Sequence, residues 1–191
     1  MPNSSSDSLR LFYALWPDDA TRTSLMQLQS GVHGRLVPYS NLHITLAFLG
    51  QQPASVLPVL KDILSELPVS PMMLNLDRVS YFNKNRIAWA GMHEVPEELF
   101  NLQRSLVNAL EENGIRFDGH SSFKPHVTLA RDAAPPSDMV FEPIAWRADQ
   151  VVLVQSVTAS EGPTYHVLDS RSLVENTRTA DERGPGASPV L

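Results

Sequence analysis

The chain contains no cysteine, and this absence excludes several kinds of chemistry. It can form no disulfide framework, supply no thiolate nucleophile and hold no zinc ion through cysteine. No apolar run reaches the length of a bilayer span, and no charged-then-apolar leader opens the chain. We therefore expect no membrane segment and a cytoplasmic protein. There is also no P-loop and no G-x-G-x-x-G segment, which argues against an ATP-driven ligase.

Basic charge is also scarce. The 191 residues include 15 Lys plus Arg against 21 Asp plus Glu, for a formal net charge of −6. Proteins that bind long nucleic acids through their phosphates usually carry a basic balance. A nucleic-acid ligand would therefore be bound as an end or a short piece in a local pocket. The length and the 42% apolar content suit one well-buried domain.

What the chain does contain is one short motif twice. The segment His43-Ile44-Thr45-Leu46-Ala47 recurs as His126-Val127-Thr128-Leu129-Ala130. If each copy is a β-strand, its apolar residues share one face, and the His and Thr lie side by side on the other. Two imidazoles, each beside a hydroxyl, can hold one anion between two acid–base groups. The alternative is a pair of core histidines in a duplicated β–α unit, which would require partners for every buried polar group.

Strand-like and helix-like segments alternate along the chain in two similar halves. The patterning predicts strands over 11–15, 42–49, 72–82, 87–92, 125–131, 151–154 and 165–168, and helices over 18–31, 53–67 and 96–113. Residues 1–8 are expected to form a flexible leader and residues 175–191 a flexible tail, because neither holds enough apolar surface to order itself. Residues 9–174 then form a single domain with an α+β fold and an internal duplication.

The two motifs and their flanks resemble the 2H phosphoesterases, and in particular the LigT-like RNA 2′,3′-cyclic phosphodiesterases, also called 2′-5′ RNA ligases. The resemblance includes 10–17, 41–50, 76–78, 123–131 and 165–168. It implies a bilobal α+β fold in which two antiparallel-rich sheets face each other across a central cleft, with helices on the outside. That branch usually closes on a Trp-Pro-Leu-like strand, where this chain has Ser170-Arg171-Ser172-Leu173.

The resemblance also implies a reaction, the opening of 2′,3′-cyclic phosphate ends to 2′-phosphomonoesters. In this reaction His126 accepts a proton from water and His43 donates one to the leaving O3′, while Thr45 and Thr128 bind the phosphate. No metal or other cofactor is required. The expected partners are RNA ends or short oligonucleotides, with tRNA fragments among them, and the resemblance also implies reversible 2′-5′ RNA ligation. The protein is expected to be a monomer. The alternative is a non-catalytic nucleotide- or RNA-end-binding module of the same fold.

A large side chain follows each motif histidine by five positions, Phe48 in the first copy and Arg131 in the second. The resemblance implies that Arg131 binds phosphate and that Phe48 stacks on a base. Strict alternation instead places Phe48 in the core and makes Arg131 a solvated charge at a strand end. The two interpretations agree if each strand breaks its alternation just after the motif, by a bulge or by ending. Because the halves are duplicates, we expect the break in both strands or in neither.

Overall fold

The computed structural model describes residues 8–68, 70–119, 122–160 and 162–174. Residues 1–7 of the expected leader and the whole expected tail, 175–191, lie outside this set, and Ser8 already begins the first strand. The described α-helices and β-strands are β1 (Ser8–Leu15), α1 (Asp19–Gln29), β2 (Arg35–Leu36), β3 (Ile44–Pro53), α2 (Leu57–Glu66), β4 (Met72–Leu76), β5 (Arg78–Phe82), β6 (Ile87–Gly91), α3 (Glu97–Glu112), β7 (Val127–Arg131), β8 (Ile144–Ala148), β9 (Gln150–Ala159) and β10 (Gly162–Ser172).

Eight of these strands form one antiparallel sheet in the order β10-β9-β1-β3-β7-β6-β5, with β2 paired to β7, and β4 pairs with β8 in a separate ribbon. The two motif strands, β3 and β7, meet at a single pair, Ile44 opposite Val127. Each lobe therefore contributes its own group of strands, and the groups join beside both motif histidines. The predicted α+β fold is confirmed, and the two expected sheets are continuous at this one point.

The three helices cover the face of the sheet opposite the histidines. α1 packs on β7 and β8, α2 on β9 and β10, and α3 on β3. The buried leucines of these helices belong to the same core cluster as Leu42, Ile44 and Leu46 of the first motif. Asp18 starts α1, because its carboxylate accepts a hydrogen bond from the Thr21 N–H at 2.7 Å. Within the described ranges, no helix combines the length and apolar character needed to cross a bilayer.

The prediction of one strand over 72–82 is wrong, because the chain breaks at Asp77 and its two parts enter different sheets. The Asp77 N–H donates to the carbonyl of Gly91 at 3.1 Å, and its carboxylate accepts from the N–H of His93 at 2.9 Å. These bonds give partners to the N–H groups of Asp77 and His93, which belong to neither of the two β-ladders. β8 was missed, although its buried and exposed residues alternate regularly. The closing strand, β10, includes Ser170–Ser172 and is longer than expected.

Candidate active site

The first motif strand contains a β-bulge. Thr45 and Ala47 lie opposite consecutive residues of β1, so that Leu46 between them is an extra residue in the ladder. An extra residue reverses the in–out alternation that follows it. Ala47 therefore packs in the core, and Phe48 lies on the histidine face, where it lines a cavity.

The second motif strand contains the same bulge at the same motif position. Thr128 and Ala130 lie opposite consecutive residues of β6, and Leu129 is the extra residue. Ala130 packs in the core, whereas Arg131 lines the cavity that Phe48 also lines. The predicted break thus occurs in both strands. It places Phe48 and Arg131 on the histidine face, whereas strict alternation would place them on the opposite face.

His43 lies just before β3 and is held through both ring nitrogens. Its Nδ1 lies 2.7 Å from the carbonyl oxygen of Asn41, and its Nε2 lies 3.0 Å from Oγ1 of Thr45. Since a carbonyl can only accept, Nδ1 carries a proton, and in the neutral ring the Thr45 hydroxyl donates to Nε2. The rings of Phe12 and Tyr165 lie 5.0 and 5.4 Å from the imidazole between centroids.

His126 lies just before β7 in an equivalent position. Its Nδ1 lies 2.7 Å from the carbonyl oxygen of Lys124, so this ring has the same tautomer. The rings of Phe82 and Trp89 lie 5.0 and 6.0 Å away between centroids. No protein group among the described residues is hydrogen-bonded to Nε2 of His126. Its lone pair is therefore available to a ligand.

Both imidazoles hold protons weakly. The pKa of His43 is lowered from 6.5 to about 4, mainly by burial; the hydrogen bond to the Asn41 carbonyl opposes this, and the charges of His126, Arg22 and Arg131 add to it. Burial also lowers the pKa of His126, with the charge of Arg131 acting in the same direction. The charge of Arg131 thus acts on both histidines. In the absence of an anion, both rings are neutral near pH 7.

The cavity between the motifs has a volume of about 480 Å³. Three arginines and no acidic residue line it, so a chain of net charge −6 has a locally positive site. An anionic ligand is the natural occupant. The lining residues are Arg10, Phe12, Arg35, Leu36, Val37, Pro38, Asn41, His43, Thr45, Phe48, Ile87, His126, Thr128, Arg131, Ser156, Thr158, Gly162, Pro163 and Tyr165.

All six residues predicted for the site therefore line one cavity, but the sequence missed several neighbours. Arg10 lies over the ring of Phe48, 4.9 Å from its centroid. The Asn41 amide donates to the carbonyl of Pro163 at 2.7 Å and so ties the β9–β10 hairpin to the first motif. Arg10 and Asn41 lie in the segments that carry the family resemblance, and this position was the one sequence signal that could have identified them as site residues. The hairpin residues gave none, because only the sheet order brings them to the cavity.

Within the described residues, no group of three or more His, Asp or Glu side chains is arranged to hold a metal ion. The polar groups at the cavity are imidazoles, hydroxyls and guanidiniums. This set can donate protons to an anion and exchange protons with it, and it defines a two-histidine acid–base site of the phosphoesterase class.

Comparison with known proteins agrees with this class. The model of the 2′-5′ RNA ligase superfamily matches residues 17–159. The chain belongs to this superfamily, and the resemblance to the 2H phosphoesterases is confirmed.

Individual relatives cover most of the chain. The RNA 2′,3′-cyclic phosphodiesterase of Thermus thermophilus is 31% identical over 95% of this chain and 98% of its own length. The Escherichia coli protein of the same name is 31% identical over 68% of this chain and 75% of its own. Among solved structures, apo Escherichia coli LigT superposes with a TM-score of 0.77 at 26% identity, over 87% of this chain and 98% of that one.

Proposed function

We propose that the protein is an RNA 2′,3′-cyclic phosphodiesterase that opens the cyclic phosphate to a 2′-phosphomonoester. The observation that carries this proposal is the convergence of both H-x-T units on one positively charged cavity. Main-chain carbonyls engage Nδ1 of each imidazole and leave Nε2 for proton exchange with substrate. The names of the curated relatives, RNA 2′,3′-cyclic phosphodiesterases, support the same activity.

In the proposed reaction, His126 is the proton acceptor. Its Nε2 takes a proton from water as the water oxygen attacks phosphorus. This nitrogen suits the role because no group among the described residues is hydrogen-bonded to it. The P–O3′ bond breaks, and His43 donates the Nε2 proton to O3′. The product is a 2′-phosphomonoester with a 3′-hydroxyl. When a 5′-hydroxyl takes the place of water as the nucleophile, the same two proton transfers break the P–O3′ bond and form a 2′-5′ phosphodiester, which is a ligation.

His43 must be protonated to act as the acid, although its pKa in the ligand-free protein is about 4. An anionic phosphodiester between the two rings favours the charged imidazole and raises this pKa. Substrate binding therefore favours the protonated form of His43, which is the form that acts as the acid. A donor whose pKa is held low by its surroundings also transfers its proton readily.

The remaining site residues bind the substrate. The hydroxyls of Thr45 and Thr128 donate to the non-bridging oxygens, where negative charge accumulates in the transition state. Arg131 supplies a fixed cation for the same oxygens, and Phe48 stacks on the base of the terminal nucleotide. RNA ends, including those of tRNA fragments, are the proposed substrates. The monomeric state and cytoplasmic residence expected from the sequence stay predictions.

The test is hydrolysis of adenosine 2′,3′-cyclic phosphate in the presence of EDTA, followed by ³¹P NMR. We expect conversion to adenosine 2′-phosphate, with no 3′-phosphate and no stimulation by divalent ions. A His43→Ala/His126→Ala double variant, checked for folding, controls for contaminating nucleases. Binding of the cyclic nucleotide without conversion would instead establish the alternative, a non-catalytic RNA-end-binding module.

A further inference from the structure

The cavity holds more positive charge than the reacting group needs. A 2′,3′-cyclic phosphate carries one negative charge, whereas three arginines and no carboxylate line the cavity. Arg131 lies directly after the second motif, and its charge acts on both histidines. This arginine is therefore placed to neutralise the reacting phosphate. The other two are left without a role in the chemical step.

Of those two, Arg35 is already paired. Its Nη2 lies 3.3 Å from Oδ2 of Asp132 across the β2–β7 ladder. Arg10, in contrast, takes part in no ion pair among the described residues, and its guanidinium lies over the ring of Phe48. An arginine lining a cavity without a carboxylate partner is available to an anionic ligand.

Arg10 also lies away from the reacting centre. β1 pairs with β9 so that Leu11 faces Gln155, and the next position brings Arg10 level with Ser156. Both residues line the cavity, together with Thr158 further along β9. Burial raises the pKa of Tyr165, and the charges of Arg131 and Arg10 lower it, whereas the charges that lower the pKa of His43 are those of His126, Arg22 and Arg131.

We propose that Arg10, with the Ser156 hydroxyl, forms a second phosphate subsite that binds the phosphate on the 5′ side of the terminal nucleoside. This inference rests on the proposed function. When the cyclic phosphate lies between the histidines and the base lies at Phe48, the 5′ phosphate is the next anion along the chain. A guanidinium and a hydroxyl are suitable donors for its oxygens. The subsite selects RNA ends over nucleoside 2′,3′-cyclic phosphates.

Three substrates test the subsite: adenosine 2′,3′-cyclic phosphate, its 5′-phosphorylated form, and the dinucleotide ApA ending in the same cyclic phosphate. We expect wild-type kcat/KM to be at least about tenfold higher for the two substrates with a 5′ phosphate, which corresponds to about 1.4 kcal/mol. The gain should lie mainly in KM. The two phosphorylated substrates distinguish a terminal phosphomonoester from an internucleotide diester.

Variants of Arg10 assign the gain to this side chain. Arg10→Gln should reduce the preference for a 5′ phosphate to about twofold or less, whereas Arg10→Lys, which keeps the charge, should retain part of it. Arg147→Gln, an exposed arginine of β8 outside the cavity, is the matched control and should leave the preference intact.

The proposal is overturned if wild type shows no preference, or if Arg10→Gln lowers kcat/KM equally for all three substrates. In both cases the phosphodiesterase activity itself would stand. Failure of wild type to open any of the three would refute the proposed function and this inference with it.

Discussion

The two motif strands have the same backbone geometry. In each, the histidine lies one residue before the strand, its Nδ1 lies 2.7 Å from the carbonyl oxygen two residues earlier, and a bulge follows at the same motif position. The duplication therefore reproduces the position of the imidazole, its tautomer and the turn of the next large side chain into the cavity. These properties depend on the main chain and on the H-x-T pattern alone.

The surroundings of the two imidazoles differ. His43 has a second hydrogen bond from Thr45 and stacks near Trp16, with ring centroids 6.0 Å apart. Behind Trp16 lies Arg22, which is only 4% exposed and has its guanidinium 4.7 Å from a Trp16 ring centroid. The charge of Arg22 lowers the pKa of His43. The charge that lowers the pKa of His126 is that of Arg131, at the end of its own motif strand. Side chains outside the motif thus give two like histidines different proton affinities.

The largest effects should come from the histidines. His43→Ala and His126→Ala should each reduce kcat by about 10²–10⁴-fold, because each removes one proton-transfer group. Both variants should stay folded by circular dichroism, since both side chains line the cavity. His33→Ala, an exposed control, should behave as wild type. If one variant keeps full activity, the two halves do not share the chemistry.

Removal of the threonine hydroxyls tests whether the two motif histidines differ. Thr45→Val and Thr128→Val should each reduce kcat by about a hundredfold, because each removes a donor to a non-bridging oxygen. Only Thr45→Val should also shift the pH dependence, because only Thr45 is hydrogen-bonded to its histidine. Exposed Thr23 of α1 provides the control substitution to Val. An equal shift in both variants would contradict the asymmetry.

Substitutions of the two side chains that follow the bulges should separate the effect of charge from the effect of base stacking. Phe48→Leu should raise KM about tenfold through lost stacking, which is worth ~1–3 kcal/mol per base. Arg131→Gln should weaken binding and also raise the pKa of both histidines, because its charge lowers them. Steady-state kinetics from pH 4 to 8 measure both effects. A shift in the pH profile of Phe48→Leu, but not of Arg131→Gln, would reverse the assignment. Phe100→Leu and Arg104→Gln on α3 are the controls.

The smallest effect is the position of the pH optimum. Because catalysis needs one neutral and one protonated imidazole, kcat/KM should follow a bell between the two pKa values of the free protein. Both lie below 6.5, so the optimum should lie on the acid side of pH 6.5. The kcat profile should lie at higher pH, because bound phosphate raises both values. A kcat/KM optimum above pH 7 would contradict this order.

The same lowered pKa affects stability. Between pH 6.5 and about 4 the unfolded chain protonates His43 and the folded protein does not, so the free energy of unfolding falls as the pH falls. In His43→Gln this part of the loss should be absent. Urea unfolding at pH 7 and pH 4.5 measures the difference from wild type.

The sequence predicted the site better than the sheet. Periodicity placed the His and Thr of each unit on the face opposite its apolar residues. The conflict between alternation and family resemblance at Phe48 and Arg131 predicted a break in each strand, by a bulge or by ending, and the structure has bulges. Local patterns could not show that the strand predicted over 72–82 divides at Asp77, because that break depends on hydrogen bonds with Gly91, at the end of β6, and with His93, which follows β6. Nor could they place Arg10 over Phe48, since this contact exists only once β1 pairs with β3.

The most direct test of the account is a titration of both imidazoles by NMR, with single His→Gln variants to assign the signals. In the free protein, both should titrate below pH 6.5, with His43 lower, at about 4. Saturating adenosine 2′-phosphate should raise both pKa values, because one anion lies between the two rings. If either histidine titrates at 6.5 or above in the free protein, or if the ligand moves only one of them, the two motifs do not form a single anion site.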